Sequence, residues 1–537
     1  MDGPPTPAPT GPERPDRLAV ALIRWVVTPL VGSWCAFLLA TWVPTYLTWP
    51  WSNDYDHFAM MAQLWASGGK PYRDIFSFQF PGEVYLFWGL GKAFGWGNSV
   101  AFYAFDAALV VAFGALLIAW GRRLSGSLLP GLIGFSAFLL FYVSVTALIA
   151  GQRDWHAAFP AVCGLLLPGV VPGRLGRTLS AVAFGWALTV RPQVVVLLPA
   201  VLAALDASAR PAGGSWTPTL RAVPAWLGVV ALVTALGFVP MVWAGVFKDF
   251  LANLKVMSRS PYNSVGAAGL WRRLSPLHLP MNLPIALVLA ILLRDRTPER
   301  LRRAGRVVVV ALAGAAFYHA ISPMVFPYHV IPQVVAASVG AAFVAAQVLQ
   351  YGPKTRLTVV AVGLLFLFFG ARERPRSFQA LSTRSPTYTV STALRLLRTG
   401  TLPTRPPLGY YSHHPWAYHR DLIEYLRAHT TPETPVANLL ISHTAAVAGQ
   451  VPRPSALPVD SGLLLMADIP SLVPRDLKAL ETTDPCVVVW EPTRPAGGAL
   501  MGDALSPLFD AVRQYYRFEA RFGPFEVWRR KESGPRR

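Results

Sequence analysis

Apolar runs, many near the length of a bilayer crossing and separated by short arginine-bearing breaks, dominate the first 370 residues. A helix rises about 1.5 Å per residue, so the ~30 Å hydrocarbon core of a bilayer takes about 20 apolar residues to cross. On that measure the runs predict spans at 20–43, 98–120, 127–149, 155–171, 178–190, 193–206, 222–246, 281–293, 305–321, 330–350 and 357–370. Several are short, and 178–190 and 193–206 are the hardest to separate as independent crossings. The stretch 44–97 has another character. Phe58, Met61, Ala62 and Trp65 recur at helical spacing and stop at Gly68-Gly69, and a second apolar run, Val84 to Phe94, follows Pro81-Gly82. Both predict amphipathic helices in the membrane interface, the first closed by glycine.

Past Arg372 the runs shorten and prolines crowd 375–415. Beyond them, 419–429 and Asp503–Tyr516 carry helical patterns, while Val436–Ser442, Val487–Trp490 and Phe525–Arg529 carry strand patterns. That alternation predicts a small α/β domain. The expected fold is therefore an α-helical polytopic membrane protein of about eleven spans with a small C-terminal extracytoplasmic α/β domain. Its divisions are a disordered cytoplasmic tail at 1–17, a membrane domain at 18–371 with a first outer loop at 44–97, a linker at 372–415 and the α/β domain at 416–537. The proline-rich start reads as a tail and not a cleavable signal, because the first apolar run is long and no small-residue cleavage site follows it.

Composition supports the membrane reading, with 53% hydrophobic and 14% charged residues. The formal charge of +20 would ordinarily suggest nucleic acid, but its arginines sit in clusters between apolar runs. That is the positive-inside pattern, so nucleic acid is not an expected partner. Arg122/Arg123, Arg174/Arg177, Arg210/Arg221, the Arg294–Arg306 cluster and Lys354/Arg356 all fall on one side if the N-terminus is cytoplasmic. The 44–97 loop, the 151–156 loop, Arg191-Pro192-Gln193, the 247–280 loop, the 322–332 turn and the C-terminal domain then face out. Cys35, Cys163 and Cys486 are too few and too scattered for a disulfide framework or a zinc motif.

Three polar groupings share the outer face. The first is Asp54, Asp56 and His57 with Lys70, Arg73, Asp74 and Glu83; the second is Gly151-Gln152-Arg153-Asp154-Trp155-His156; the third is Tyr328-His329 ahead of Pro332, with His319 one span end earlier. Carboxylates serve as a general base or as ligands to a divalent metal, and the residues alone leave the metal unassigned. Arginine offers a planar fork of donors to phosphate and lysine a mobile charge. An acid beside phosphate-binding bases at a membrane surface is what transfer from a lipid-phosphate donor requires.

The pattern Asp54-x-x-x-Phe58-x-x-x-Ala62, then Gly69-Lys70-Pro71-Tyr72-Arg73-Asp74, then Phe80-Pro81-Gly82 resembles the first outer loop of C-type (GT-C) glycosyltransferases. The nearest members would be the bacterial protein O-mannosyltransferase and lipid A aminoarabinose transferase group. Gly151-Gln152-Arg153-Asp154 and Tyr328-His329 with Pro332 resemble later loop motifs of bacterial members. The resemblance implies a many-span enzyme with a catalytic aspartate in loop one. It would move a sugar from a polyprenyl-phosphate donor to a lipid, glycan or protein acceptor, at the outer face of the cell membrane. It also implies Asp54 or Asp56 as the base, Asp154 as an orienting acid, and Lys70, Arg73, Arg153, Arg191 and His329 around the lipid phosphate. Many relatives follow the aspartate with glutamate; here Tyr55 follows and Asp56 is the second acid, so the base stays open between the two.

Plainer roles stand beside these. Asp54 and Asp56 suit helix capping, Arg153 and Asp154 a local ion pair, and Lys70 and Arg73 a solvated face. Arg191 could snorkel from a span end, and His329 could serve as an interfacial hydrogen-bonder. Asp106 lies about two turns inside a predicted span, where an ionisable group serves either function or a tie between helices. The competing class is a transporter or flippase of lipid-linked sugars.

Overall fold

The computed structural model describes residues 17–47, 53–145, 149–209, 217–258, 298–322, 327–351, 416–439, 470–482, 487–490 and 500–531, with helical fragments within 285–289 and at 398–399. Among the described residues, five helices are long and apolar enough to cross a membrane by length and composition: Val20–Tyr46, Ser99–Ser125, Ala222–Trp243, Glu299–Ile321 and Tyr328–Gln350. The protein is thus mostly helical, with helices fit for a bilayer and a small C-terminal sheet.

The first helices are α1 (Arg17–Leu22), a π-turn at Ile23–Val27, and α2 (Thr28–Tyr46). The two helices expected within 44–97 follow as α3 (Asn53–Ala66) and α4 (Pro81–Phe94). Gly68 closes the first at φ 89, a left-handed conformation that side chains resist, and Pro81 opens the second where a missing N–H does no harm. Trp88 and Phe94 stand out from α4 as exposed aromatics.

The bundle continues with α5 (Ser99–Ser125), α6 (Leu129–Tyr142), α7 (Arg153–Val170), α8 (Gly173–Val190) and α9 (Leu198–Ala209). Then come α10 (Thr217–Trp243), α11 (Phe247–Ser258), α12 (Glu299–Ile321) and α13 (Ile331–Tyr351). The side chain of Asn98 caps α5 by accepting from the Ala101 N–H at 3.1 Å, so the helix starts where the span was expected. Its other end runs past the expected 120 to include Arg122 and Arg123 in the last turn. The expected 127–149 span is a 14-residue helix, about 21 Å long, followed by turns. The expected 193–206 span opens instead as a 3-10 turn, Pro192–Leu197, before α9. The 357–370 span, nearly all of 281–293, the linker 372–415 and the tail up to residue 16 lie outside the described residues.

Helix α13 packs against α5, α6, α7 and α12 and is buried from Ile331 to Ala346. Small residues permit the approach: a Cβ at Gly134 of α6 would lie 2.6 Å from the Ser338 carbonyl oxygen. Lipid supplies no hydrophobic drive between helices, so close backbone packing of this kind holds them.

The C-terminal part holds α14 (Trp416–His429), β1 (Val436–Leu439), α15 (Val473–Thr482), β2 (Val487–Trp490), α16 (Leu500–Tyr515), β3 (Tyr516–Phe522) and β4 (Phe525–Arg530). The strand order is β1-β2-β4-β3, with β1 and β2 parallel and the other pairs antiparallel. The parallel pair needs a crossover, and α15 lies on it. Strand β3 and helix α15 have no counterpart in the sequence reading. One face of the sheet has a core of its own, with Leu422, Leu426, Val489 and Phe525, and the other is shared: Phe76 of loop one and Met257 of α11 are buried in one cluster with Leu439, Val488, Leu505 and Leu508.

Candidate functional site

Three chain segments meet at one end of the bundle because each is forced out of helix there. Gly151, at φ 69, and Gln152, in extended backbone, turn the chain into α7, so Arg153, Asp154 and His156 occupy its first two turns. Pro192 keeps the residue before it extended, and Arg191 breaks from α8 at φ −150 and ψ 100. His329 sits in the 3-10 turn Pro327–Val330 that leads into α13. The Pro81-Gly82-Glu83 start of α4 completes the end, with Gly82 so close to Thr189 and Val190 that any Cβ there would overlap them.

Asp154 and His156 are two residues apart on a helix that turns about 100° per residue, so their side chains leave in nearly opposite directions. Asp154 reaches α12. Its Oδ1 accepts the Tyr318 hydroxyl at 2.6 Å and lies 3.2 Å from Arg191 Nε. Arg191 Nε also donates to the Tyr318 oxygen at 2.6 Å, and its Nη2 meets His329 Nε2 at 2.9 Å. A guanidinium only donates, so His329 must accept at Nε2 and carry its proton on Nδ1. Asp154, Arg191, Tyr318 and His329 are all buried. Asp154 thus has an ion partner far along the chain, Arg191, 37 positions on from it, and Arg191 is buried instead of reaching from a span end to solvent.

His156 reaches the other way. Its Nδ1 lies 2.7 Å from Glu83 Oε1 and its Nε2 3.1 Å from Asp106 Oδ1. The other oxygen of Asp106 accepts from Tyr46 at 2.7 Å and from Tyr142 at 2.8 Å. Tyr142 in turn accepts the Gly151 N–H at 2.8 Å, which returns the chain of bonds to the turn that launches α7. Asp106 is therefore a tie among helices α2, α5, α6 and α7.

Loop one joins the same turn. Tyr55, on the first turn of α3, donates to the carbonyl of Ala150, and its ring stacks against Phe87 and packs on Phe102. The side chains of Asp54 and Asp56 lie outside the described residues, but the backbone turn that carries them is fixed against the Ala150–Asp154 segment. The helix begins at Asn53, so both acids are first-turn residues and neither precedes the helix as a cap would. Lys70 and Arg73 are held elsewhere: the Lys70 backbone N–H donates to Asp74 Oδ2 at 2.7 Å and Arg73 Nε to its Oδ1 at 3.0 Å, at an exposed edge.

The hub residues Tyr46, Tyr55, Tyr142 and Tyr318 were missed from sequence. Tyr142 and Tyr318 are tyrosines in or beside apolar runs, the signal that could have marked them; Tyr46 follows Thr45, and Tyr55 lies between Asp54 and Asp56. Among the described residues, no group of three or more His, Cys, Asp or Glu is arranged to hold a metal. Chemically, this end of the bundle offers a half-buried Arg153 at a helix N-terminus, which favours anions, and a second cation balanced by Asp154. No protein-family model and no curated protein matches the chain.

Proposed function

We propose that the protein is an integral-membrane glycosyltransferase of the C type, transferring a sugar from a polyprenyl phosphate to an acceptor hydroxyl at the outer face of the cell membrane. The observation that carries this reading is the Tyr55–Ala150 hydrogen bond, because it lays the turn bearing Asp54 and Asp56 against the turn bearing Arg153 and Asp154. The reading thus puts an acid and an anion-binding cation on neighbouring turns of the chain. In the reaction the acceptor oxygen bonds to the anomeric carbon as the bond from that carbon to the phosphate oxygen breaks. Asp54 or Asp56 takes the acceptor's proton, and the charge leaves on the polyprenyl phosphate. Arg153 meets that charge, supported by Arg191 and His329, where donors fixed before reaction are worth most. About eleven spans, a cytoplasmic N-terminus and an extracytoplasmic C-terminal domain belong to the same proposal, supported by the arginine distribution.

The rival, a transporter or flippase of lipid-linked sugars, draws on the buried Glu83–His156–Asp106 chain, since ionisable groups inside a bundle commonly mark transport paths. Its location argues otherwise. Asp106 is seven residues into α5, about 10 Å from an end of a helix about 40 Å long, whereas transport sites favour the midplane. The deciding measurement is sugar transfer by purified protein in proteoliposomes. Asp54→Asn or Asp56→Asn, whichever removes the base, should lower the rate ~10²–10⁴-fold with donor binding retained. Arg153→Ala should weaken donor binding instead. A correctly inserted double Asp→Asn variant that transfers at the wild-type rate would end the proposal, and movement of intact donor across the bilayer without cleavage would favour the rival.

A further inference from the structure

The segment Lys70–Phe80, between α3 and α4, is pinned from three sides. Asn253 of α11, itself buried, donates from one amide to the carbonyls of Tyr72 at 2.8 Å and Ser77 at 3.0 Å. The Ser77 hydroxyl lies 3.0 Å from His57 Nε2, and His57 belongs to the same helical turn as residues 54–56. Between these bonds Phe76 is fully buried in the core of the C-terminal sheet and its helices, with Phe78 packed against that core. Tyr72 sits at φ 70, a left-handed backbone that a non-glycine residue keeps only when its surroundings impose it. An unbroken physical path therefore runs from the C-terminal core through Phe76 and Ser77 to His57.

We propose that this segment is a positioning device, through which the C-terminal domain, by gripping Phe76, sets the placement of the first turn of α3. Ser77, Asn253 and Phe76 are its positioning residues. The consequence for catalysis rests on the glycosyltransferase reading, since that reading puts the base on this turn; the mechanical coupling does not depend on it. It also assigns the C-terminal domain a part in building the site, beyond any contact with an acceptor.

Hydrogen exchange on the full-length protein in lipid nanodiscs tests the coupling without any substrate. Ser77→Ala should raise amide exchange at residues 53–58 about ten-fold and leave 505–512 unchanged, because it cuts the path below the C-terminal core. Phe76→Ala should raise exchange at both places. Wild-type exchange at 53–58 in Phe76→Ala, with 505–512 loosened, would overturn the proposal. If that variant is not recovered from membranes, Asn253→Asp keeps the shape, removes two donors and should give the same ten-fold rise at 53–58; an unchanged rate there overturns the proposal equally. In the transfer assay Ser77→Ala should lower kcat several-fold and leave KM for the lipid donor unchanged. Coupled exchange in a protein whose wild type transfers no sugar would uphold the device and overturn the enzymatic reading.

Discussion

Replacing Asp154 by asparagine tests the buried polar cluster most directly, since it keeps the shape and removes one charge. Arg191 Nε lies 3.2 Å from the Asp154 carboxylate, and an effective dielectric near 20 makes their attraction about 5 kcal/mol. Asparagine still accepts the Tyr318 hydroxyl, so the loss is mainly the counter-charge of a buried guanidinium, which typically costs about 3–5 kcal/mol. Arg191→Met should cost a similar amount, for the mirror-image reason. The informative variant is the combination Asp154→Leu, Arg191→Met, Tyr318→Phe, which removes both charges and leaves no hydroxyl between them. Apolar replacement of a whole buried pair is often neutral, so this variant should return to within about 2 kcal/mol of wild type. Reversible unfolding in mixed micelles, followed by tryptophan fluorescence, would measure each stability. Single substitutions costing under about 1 kcal/mol, or a combined loss equal to the sum of the singles, would refute the reasoning. Recovery of stability without recovery of sugar transfer would separate the cluster's part in the reaction from its part in the fold.

Three shorter tests address other links. Gly151→Ala should destabilise by about 1–2 kcal/mol through its left-handed φ of 69 alone, and should also displace the turn, because a Cβ there would meet Phe102 at 3.1 Å and the Tyr46 hydroxyl at 3.2 Å; thermal melts and transfer rates check both. In the C-terminal domain, partial burial pushes the Glu519 carboxyl up, but hydrogen bonds from Arg529 and Tyr425 outweigh it and hold it below the usual glutamate range. A depressed carboxylate stabilises the fold above its unfolded pKa of about 4.3 and loses that effect as pH falls through its folded value, so Glu519→Gln should flatten the acid limb of the stability profile below about pH 4. Reporter fusions after residues 122, 175 and 300 should read as cytoplasmic and those after 75 and 450 as external; residues 75 and 450 on opposite sides of the membrane would break both the proposed site and the coupling through Phe76.

The sequence by itself determined where the chain changes state. Gly68 and Pro81 mark the ends of the loop-one helices because their backbones admit few alternatives, and α3 and α4 lie where those residues put them. Three of the four C-terminal strands were legible from β-branched and aromatic runs; β3 was masked by the helical pattern that runs into Tyr516, although Tyr516, Phe518, Ala520 and Phe522 alternate with Arg517, Glu519 and Arg521 as a strand's residues do. Span lengths were less legible, because hydropathy measures apolar content and does not see the proline that turns 192–197 into a 3-10 segment. What the tertiary structure alone decided is which polar groups meet. Asp154 and Arg191 carry no mark of each other, nor do Glu83, Asp106 and His156. Such pairings depend on how each helix is rotated about its axis and how far it slides past its neighbours, and those are fixed by packing at positions such as Gly134 and Gly82, whose missing side chains let backbones approach. The union of Phe76 with the C-terminal core is of the same kind: local pattern shows that a phenylalanine is apolar, and only the assembled chain determines which apolar surface it fills.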